Sequence, residues 1–141
     1  MTAASHEHPI VAAYLRALGD ADLDGMLALF APGAMVHSPL YGTLPATEFY
    51  PRLFADTGSA TLTLLGTMRG TSVEGRALLS FLFHFDWQLP NGTAAPFDVV
   101  DIAELDDAGL IADIRIVYDT VDVRPAFEAD TGTTSWRATT G

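Results

Sequence analysis

The chain contains no cysteine and no lysine, and these two absences narrow its possible chemistry more than any motif does. Without cysteine there can be no thiolate nucleophile, no thiolate metal ligand and no disulfide bond. Because all seven basic side chains are arginines, a lysine Schiff base is impossible, and covalent catalysis would need Ser, Thr, Asp, Glu, His or Tyr. The chain also lacks the run of about 20 apolar residues that crosses a membrane.

Positive charge is scarce, since the formal net charge of the 141 residues is −11 at pH 7. Such a surface repels phosphate backbones and anionic lipids, so we expect neither nucleic acid nor a membrane as a partner. The first residues lack the basic segment and apolar run of a signal peptide, which favours a cytoplasmic location. The length suits one domain, and 49% hydrophobic residues suffice for a core that also lines a cavity.

The N-terminal part of the chain carries apolar residues at the spacing of α-helices. Pro9 suits a first helical turn, and Gly19 is a typical stop. Asp20 or Asp22 can cap the helix that follows. Three helices are therefore predicted, over residues 9–19, 23–30 and 46–56, and Pro51 must kink the last one or divide it.

Much of the remaining chain is rich in β-branched and aromatic residues, which predicts strands. A Pro90-Asn91-Gly92 segment indicates a hairpin. Helices followed by a meander predict an α+β domain, with the helices on one face of a strongly curved, antiparallel or mixed sheet that encloses an apolar pocket. This domain would be residues 9–127, between a flexible leader (1–8) and a polar C-terminal tail (128–141). The predicted strands are residues 34–37, 59–67, 76–89, 97–105 and 110–118.

Asp101 is the most informative residue of these strands. Burial of a carboxylate is costly unless the group is paired, protonated or functional, and burial raises the pKa toward the range of proton transfer. Asp101 is therefore the candidate acid–base group, and a structural carboxylate bonded to its neighbours is the alternative. Alternation puts it among apolar side chains, because one face of its strand consists of Phe97, Val99, Asp101, Ala103 and Leu105.

His84 could meet Asp101 across the predicted hairpin. If the turn has two central residues, Leu82 faces Asp101 and His84 lies diagonally beside it, roughly 7–8 Å away. A His–Asp pair of this kind could shuttle a proton. A loop of odd length would reverse the faces and leave the aromatic residues of this strand beside Asp101. His84 would then be a surface or dimer-interface histidine, and both alternatives stay open.

Further candidates for the pocket lie at the ends of two strands. Ile116 and Tyr118 share the face of strand 110–118 that should look inward. His37 and Ser38 end the first strand near the expected mouth of the pocket. Adjacent side chains of a strand point in opposite directions, so one of these two could enter the pocket.

Motifs for other chemistries are missing. The sequence has no G-x-S-x-G elbow, no zinc-ligand spacing and no phosphate-loop pattern of glycines, so we expect no cofactor. The His6-Glu7-His8 run could hold a metal ion, but two histidines in a leader are a weak signal, and no metal site is predicted.

Three segments resemble the SnoaL-like and ketosteroid-isomerase-like (NTF2-like) families: residues 14–39, residues 47–50 (TEFY) and residues 100–111 (VDIAELDDAGLI). The resemblance implies an NTF2-like cone over most of residues 9–119. It also implies that Tyr14 and Asp101 match the isomerase's oxyanion-hole tyrosine and protonated aspartic acid, and that Tyr50 supports Tyr14. In SnoaL-like cyclases, a carboxylate near the Asp101 position is the acid–base group instead.

The resemblance breaks at the residues that complete the known mechanisms. The isomerase's general base is an aspartate immediately before a strand-ending proline, and here that position is Ser38. Limonene-type epoxide hydrolases use an Arg–Asp–Asp set, and the matching positions hold Leu82, His84 and Ile116. Neither mechanism transfers intact.

The leading hypothesis is a cofactor-free enzyme that performs cyclisation, isomerisation or dehydration on a hydrophobic, polyketide- or steroid-like small molecule. Asp101 would be the acid–base group, Tyr14 the donor to the carbonyl oxygen, and His84 or His37 the second proton carrier. The alternative is a non-catalytic small-molecule-binding or dimeric interaction module of the same fold, and epoxide hydrolysis is a third.

A homodimer is also expected, since one face of strand 76–89 must meet the helices and the other is too apolar to stay in water. A hydrophobic small molecule is the other expected partner. The residues expected to bind it are Tyr50, His37, Ser38, Phe30, Val99, Ile116 and Tyr118.

Overall fold

A computed structural model describes residues 8–132, and in it most of the helical residues precede the long strands, as predicted. The helices of this part of the chain are α1 (Pro9–Asp20), α2 (Leu23–Leu27), α3 (Ala46–Ala55) and α4 (Val123–Thr131). Its strands are β1 (Phe30–Ser38), β2 (Gly42–Pro45), β3 (Ser59–Thr71), β4 (Ala77–Gln88), β5 (Phe97–Leu105) and β6 (Ile111–Val117).

Side chains and backbone conformation set the ends of the first two helices. His8, predicted to belong to the leader, caps α1 instead, because its Nδ1 accepts a hydrogen bond from a first-turn N–H at 3.1 Å. The prediction that Gly19 ends α1 is wrong, since the helix continues until Ala21 adopts a left-handed conformation with φ 53°. Asp22 caps α2, and its Oδ1 accepts from the backbone N–H three residues on at 3.0 Å.

The second helix is shorter than predicted, because it ends at Leu27. Phe30 begins β1 instead of ending the helix, and the strand passes through Ala31-Pro32-Gly33. That passage is irregular, since the register of β1 against β6 shifts between Phe30 and Met35. The Phe30 ring packs against Tyr50 of α3 with 5.4 Å between the ring centroids, so aromatic burial outweighs the helical spacing of the sequence.

The strands form one sheet in the order β2-β1-β6-β5-β4-β3. Strands β1 and β6 are parallel and the other neighbours are antiparallel, so the sheet is mixed and the predicted α+β class is confirmed. The sequence pattern does not predict β2, which has only four residues and pairs with β1. Helix α1 packs against β3, and α3 packs against β1 and β2.

The hairpin between β4 and β5 has the odd-length loop. Leu89 donates its N–H to the Thr93 carbonyl at 2.9 Å, which centres the loop on Asn91. In this register Asp101 faces Phe81, so the alternative that paired Asp101 with Leu82 is wrong. The buried aromatic face of β4 therefore lies beside Asp101.

Helix α4 replaces the first part of the predicted polar tail. Val123 and Phe127 are each 1% exposed, and the Phe127 ring stacks on Trp87 with 5.9 Å between centroids. The helix crosses the predicted boundary at residue 128 and closes one side of the core. The remainder of the predicted tail, residues 133–141, and residues 1–7 of the predicted leader lie outside the described residues.

Candidate active site

An apolar cavity lies between the inner face of the sheet and helices α1 and α3. The room in it for the centres of water-sized molecules is about 30 Å³, enough for roughly two waters. Eight of the fifteen residues that line it are aromatic. The cavity is lined by Tyr14, Leu18, Ser38, Leu40, Tyr41, Phe49, Leu53, Phe83, Phe85, Trp87, Phe97, Val99, Asp101, Ile116 and Tyr118.

Among residues 8–132, Asp101 is the one carboxyl group that lines the cavity. It lies in the middle of β5 and is 1% exposed. Its Oδ1 has no hydrogen-bond partner within residues 8–132. Burial raises the pKa of Asp101 from the ordinary value of 3.8 to about 7, and the hydrogen-bonding hydroxyl of Tyr14 offsets part of that rise. The carboxyl can therefore exchange a proton near neutral pH.

Two tyrosines from different helices lie close to this carboxyl group. Tyr14 of α1 and Tyr50 of α3 are at most 1% exposed, and their hydroxyl oxygens are 2.9 Å apart. Burial, and then the charge of the Asp101 carboxylate, raises the pKa of Tyr14 well above 10.0. Burial also raises the pKa of Tyr50 well above 10.0. Both hydroxyls therefore stay protonated and can donate hydrogen bonds. The Phe81 ring, which faces Asp101 across the sheet, holds Tyr14 in an edge-to-face contact at 5.2 Å.

Ser38 also lines the cavity, but its hydroxyl oxygen accepts hydrogen bonds from the neighbouring backbone. Ser38 Oγ accepts hydrogen bonds from the N–H groups of Leu40 and Tyr41, at 3.2 and 3.1 Å. These bonds hold the turn that follows β1. Ser38 therefore shapes the wall of the cavity at the position where the isomerase has its base.

Most of the predicted pocket residues do meet at this cavity. Val99, Ile116 and Tyr118 line it together with Ser38. Tyr118 stacks on Phe97 with 4.1 Å between the centroids. Tyr50 and Phe30 do not line the cavity. Tyr50 contacts the lining residue Tyr14 through its hydroxyl, and the Phe30 ring packs against Tyr50.

The two predicted histidines lie on the opposite face of the sheet. His84 Nδ1 is 2.8 Å from Asp98 Oδ1, so the expectation that His84 pairs with Asp101 is wrong. His37 Nε2 is 2.7 Å from Asp113 Oδ1 on the same outer face, so His37 does not enter the cavity either. Neither histidine lines the cavity that contains Asp101.

Tyr41 is a cavity residue that the sequence does not single out. Its hydroxyl donates to Asp56 Oδ2 at 2.6 Å, and the Arg52 guanidinium lies over its ring at 5.4 Å from the centroid. The only available signal is its place in the turn after Ser38-Pro39, which does not define the direction of the side chain.

Two properties of the described residues bear on cofactors and membranes. Within residues 8–132, no three His, Asp or Glu side chains come together in a way that could hold a metal ion. His6 and Glu7 of the predicted leader lie outside this part of the chain. No helix in the described part is long and apolar enough to span a bilayer.

The fold is shared with several solved structures. The epoxide hydrolase/cyclase-like enzyme SalBIII, described for pyran ring formation in polyether salinomycin, superposes with a TM-score of 0.64 and 19% identity, over 80% of this chain and 90% of that one. A hypothetical protein with a ketosteroid isomerase-like fold from Catenulispora acidiphila, in complex with trimethylamine, gives 0.67 and 14%, over 88% and 92%. An NTF2-like protein of unknown function from Exiguobacterium gives 0.64 and 16%, over 78% and 98%.

These likenesses establish the fold alone, since the identities are low. The family model of the SnoaL-like domain matches residues 11–114, which include most of α1, all of α3 and most of the sheet. Tyr14, Tyr50 and Asp101 all lie within the matched segment. The chain therefore belongs to the SnoaL-like family.

Proposed function

We propose that this protein is a cofactor-free acid–base enzyme that acts on a hydrophobic carbonyl compound, polyketide- or steroid-like in character. The observation that carries the proposal is Asp101, a buried carboxyl group whose Oδ1 has no partner in the described chain. A structural carboxylate would have its oxygens bonded to neighbouring groups. A proton carrier must keep one oxygen available for the substrate.

In the proposed reaction, Tyr14 is the hydrogen-bond donor and Asp101 is the proton carrier. The Tyr14 hydroxyl stays protonated and donates a hydrogen bond to the carbonyl oxygen, where negative charge develops as an enolate forms. Asp101 Oδ1 removes the proton from the carbon beside the carbonyl, and the carboxyl then returns the proton to a second position. In an isomerisation the proton goes to another carbon of the enolate. In a dehydration it goes to a hydroxyl that leaves as water, and in a cyclisation it goes to the oxygen of a second carbonyl group that the enolate carbon attacks.

One group has to serve as both acid and base. Ser38 is occupied in a turn and both histidines lie outside the cavity, so these three side chains offer Asp101 no help. A pKa near 7 suits this double role, because both protonation states are well populated at neutral pH. Tyr50 supports Tyr14 through the 2.9 Å contact between their hydroxyls.

The size of the cavity sets a condition on binding. A space of about 30 Å³ is far below the roughly 300–1,000 Å³ of a typical ligand pocket, so rings of the lining must move when a substrate enters. The stacked pair of Phe97 and Tyr118 borders the cavity, and its displacement would enlarge the space most directly. The aromatic walls favour a flat, apolar substrate.

Exchange of carbon-bound hydrogen tests this proposal without knowledge of the natural substrate. In D₂O the protein is expected to catalyse deuterium incorporation beside the carbonyl of at least one ketone in a graded series from cyclopentanone to β-tetralone, followed by proton NMR. Tyr14→Phe should slow the exchange by about 10²-fold, because one donor to the developing oxyanion is lost. Tyr41→Phe removes a hydroxyl from another wall and should leave the rate nearly unchanged.

Ketone binding without exchange across this series would contradict the enzymatic proposal and support a non-catalytic binding module. If exchange occurred and Tyr14→Phe slowed it no more than Tyr41→Phe, the oxyanion role of Tyr14 would be wrong, since that role distinguishes the two hydroxyls.

We also propose a homodimer that buries the outer face of β3 and β4. Met68 is 52% exposed on this face, and Leu78 and Leu82 are half-buried beside it. An apolar surface of this kind favours association. Sedimentation equilibrium at micromolar concentration should give about twice the 15.0 kDa monomer mass. A Met68→Glu variant should shift the equilibrium to monomer, and a wild-type protein that is monomeric at this concentration would refute the dimer.

A further inference from the structure

A second, larger cleft opens next to the cavity. It has a volume of about 430 Å³ and lies between the end of β6, the turn after β1 and the residues that lead into α4. Ser38, Ile116 and Tyr118 line both this outer cleft and the inner cavity. A molecule that extends past these three side chains would occupy both spaces.

The outer cleft is positively charged in a strongly acidic protein. Arg115 and Arg124 line it together with His37, and its lining within residues 8–132 includes no Asp or Glu. The chain as a whole has 18 acidic and 7 basic residues, so a cleft with two arginines and no carboxylate is unusual for this surface. Such a local field attracts anions even when the net charge is negative.

The two arginines are held differently. Arg115 is exposed and makes no ion pair with any residue between 8 and 132. Arg124 is steadied by the carbonyl oxygen of Pro39 and the hydroxyl of Thr120, each 3.4 Å from its Nη2. His37, which also lines the cleft, is held by two contacts, from Nδ1 to the Thr43 hydroxyl at 3.0 Å and from Nε2 to Asp113 at 2.7 Å. Asp113 is thus already occupied by His37.

We propose that the outer cleft binds a carboxylate or phosphate group of the substrate through Arg115 and Arg124. The apolar part of the molecule then passes Ser38 and Tyr118 and places its carbonyl beside Tyr14 and Asp101. Guanidinium groups suit this task, because their planar N–H groups match the oxygens of both anions. The substrate class is therefore an anionic, apolar carbonyl compound, a statement that rests on the function proposed above.

Binding of naphthoate and of its neutral isostere naphthamide tests the cleft independently of turnover. In isothermal titration calorimetry, the wild-type protein should bind naphthoate at least about tenfold more tightly than naphthamide, and added salt should reduce the difference. Arg115→Gln should remove most of the preference for naphthoate, whereas Arg115→Lys should retain part of it. Arg76→Gln is the matched control, since Arg76 is exposed, pairs with Glu104 and lies outside the cleft.

Each outcome bears on the proposal. Equal affinity for the two compounds in the wild-type protein, or a preference that survives in Arg115→Gln and Arg124→Gln, would overturn it. Tighter binding of naphthyl phosphate than of naphthoate would assign the anion as phosphate, and the reverse order would assign it as carboxylate. Binding of naphthoate does not require Asp101 as a proton carrier, so Asp101→Asn should still bind it. Charge-dependent binding without ketone exchange would therefore support the anion-binding cleft and contradict the enzymatic proposal.

Discussion

Asp101→Asn is expected to lower the rate of deuterium exchange by about 10²–10⁴-fold, the usual loss when a general acid–base group is removed. The amide has nearly the same shape as the carboxyl group but cannot take up a proton from carbon. No other titratable side chain on the described cavity wall can replace it, because burial keeps Tyr14, Tyr41 and Tyr118 protonated by raising the pKa of each. The measurement is proton NMR of the ketone in D₂O.

Asp98→Asn provides the matched control for this experiment. Asp98 lies on the same strand, three residues away, but on the outer face, where it pairs with His84 at 2.8 Å. The same substitution there should leave the exchange rate within about twofold of the wild-type value, because the group never reaches the cavity. Full activity in Asp101→Asn would show that Asp101 is structural and would withdraw the acid–base assignment.

Asp101→Asn is also expected to stabilise the protein above neutral pH. A pKa raised from 3.8 to about 7 means that the folded protein holds a proton that the unfolded chain releases between these values. Stability is therefore lost as the pH rises through this window, and the loss reaches about 4 kcal/mol above pH 7. The uncharged amide does not suffer this loss, so the gain should be largest at pH 8 and smaller by about 3 kcal/mol at pH 5.

Urea denaturation at several pH values from 5 to 8 measures this difference. Asp98→Asn serves again as the control, because it makes the same substitution on the outer face and alters no buried carboxyl. A wild-type protein that is more stable than Asp101→Asn at pH 8 would mean that the folded chain stabilises the charged carboxylate. That result would contradict a proton carrier with a raised pKa.

The sequence predicts well which side chains of a strand point to the same face. Side chains alternate along any strand whatever its partner, so the inward direction of Val99, Asp101, Ile116 and Tyr118 follows from the pattern alone. The class of the fold can be predicted equally well, because it depends on the order of helices and strands, and each has a distinct periodicity of apolar residues.

The register between paired strands is harder to predict from the sequence, and His84 shows why. Its face relative to Asp101 depends on whether the hairpin loop has an even or an odd number of residues. The Pro90-Asn91-Gly92 segment predicts a turn but is compatible with both, and the hydrogen bond between Leu89 and Thr93 decides the matter only in the folded chain. A second proton carrier beside Asp101 therefore follows from one register and disappears in the other.

Tertiary contacts account for the other elements that the sequence does not predict. Helix α4 buries only Val123 and Phe127, too few apolar residues to give a helical pattern, and it forms because Phe127 stacks on Trp87. Strand β2 has no periodicity of its own and depends on pairing with β1. The outer cleft requires Arg115 and Arg124 to meet from separate elements, which no local pattern reveals.

The most direct test of the central claim is the pKa of Asp101 itself, measured by carbon-13 NMR of the side-chain carboxyl carbon as the pH is raised from 5 to 9. Asp101→Asn identifies the signal by its absence. The structure predicts a titration midpoint of about 7, and a higher midpoint in Tyr14→Phe, because the hydrogen bond that offsets the rise is lost. A carboxyl that is already ionised at pH 5, with no titration above it, would contradict the claim that Asp101 is a buried proton carrier.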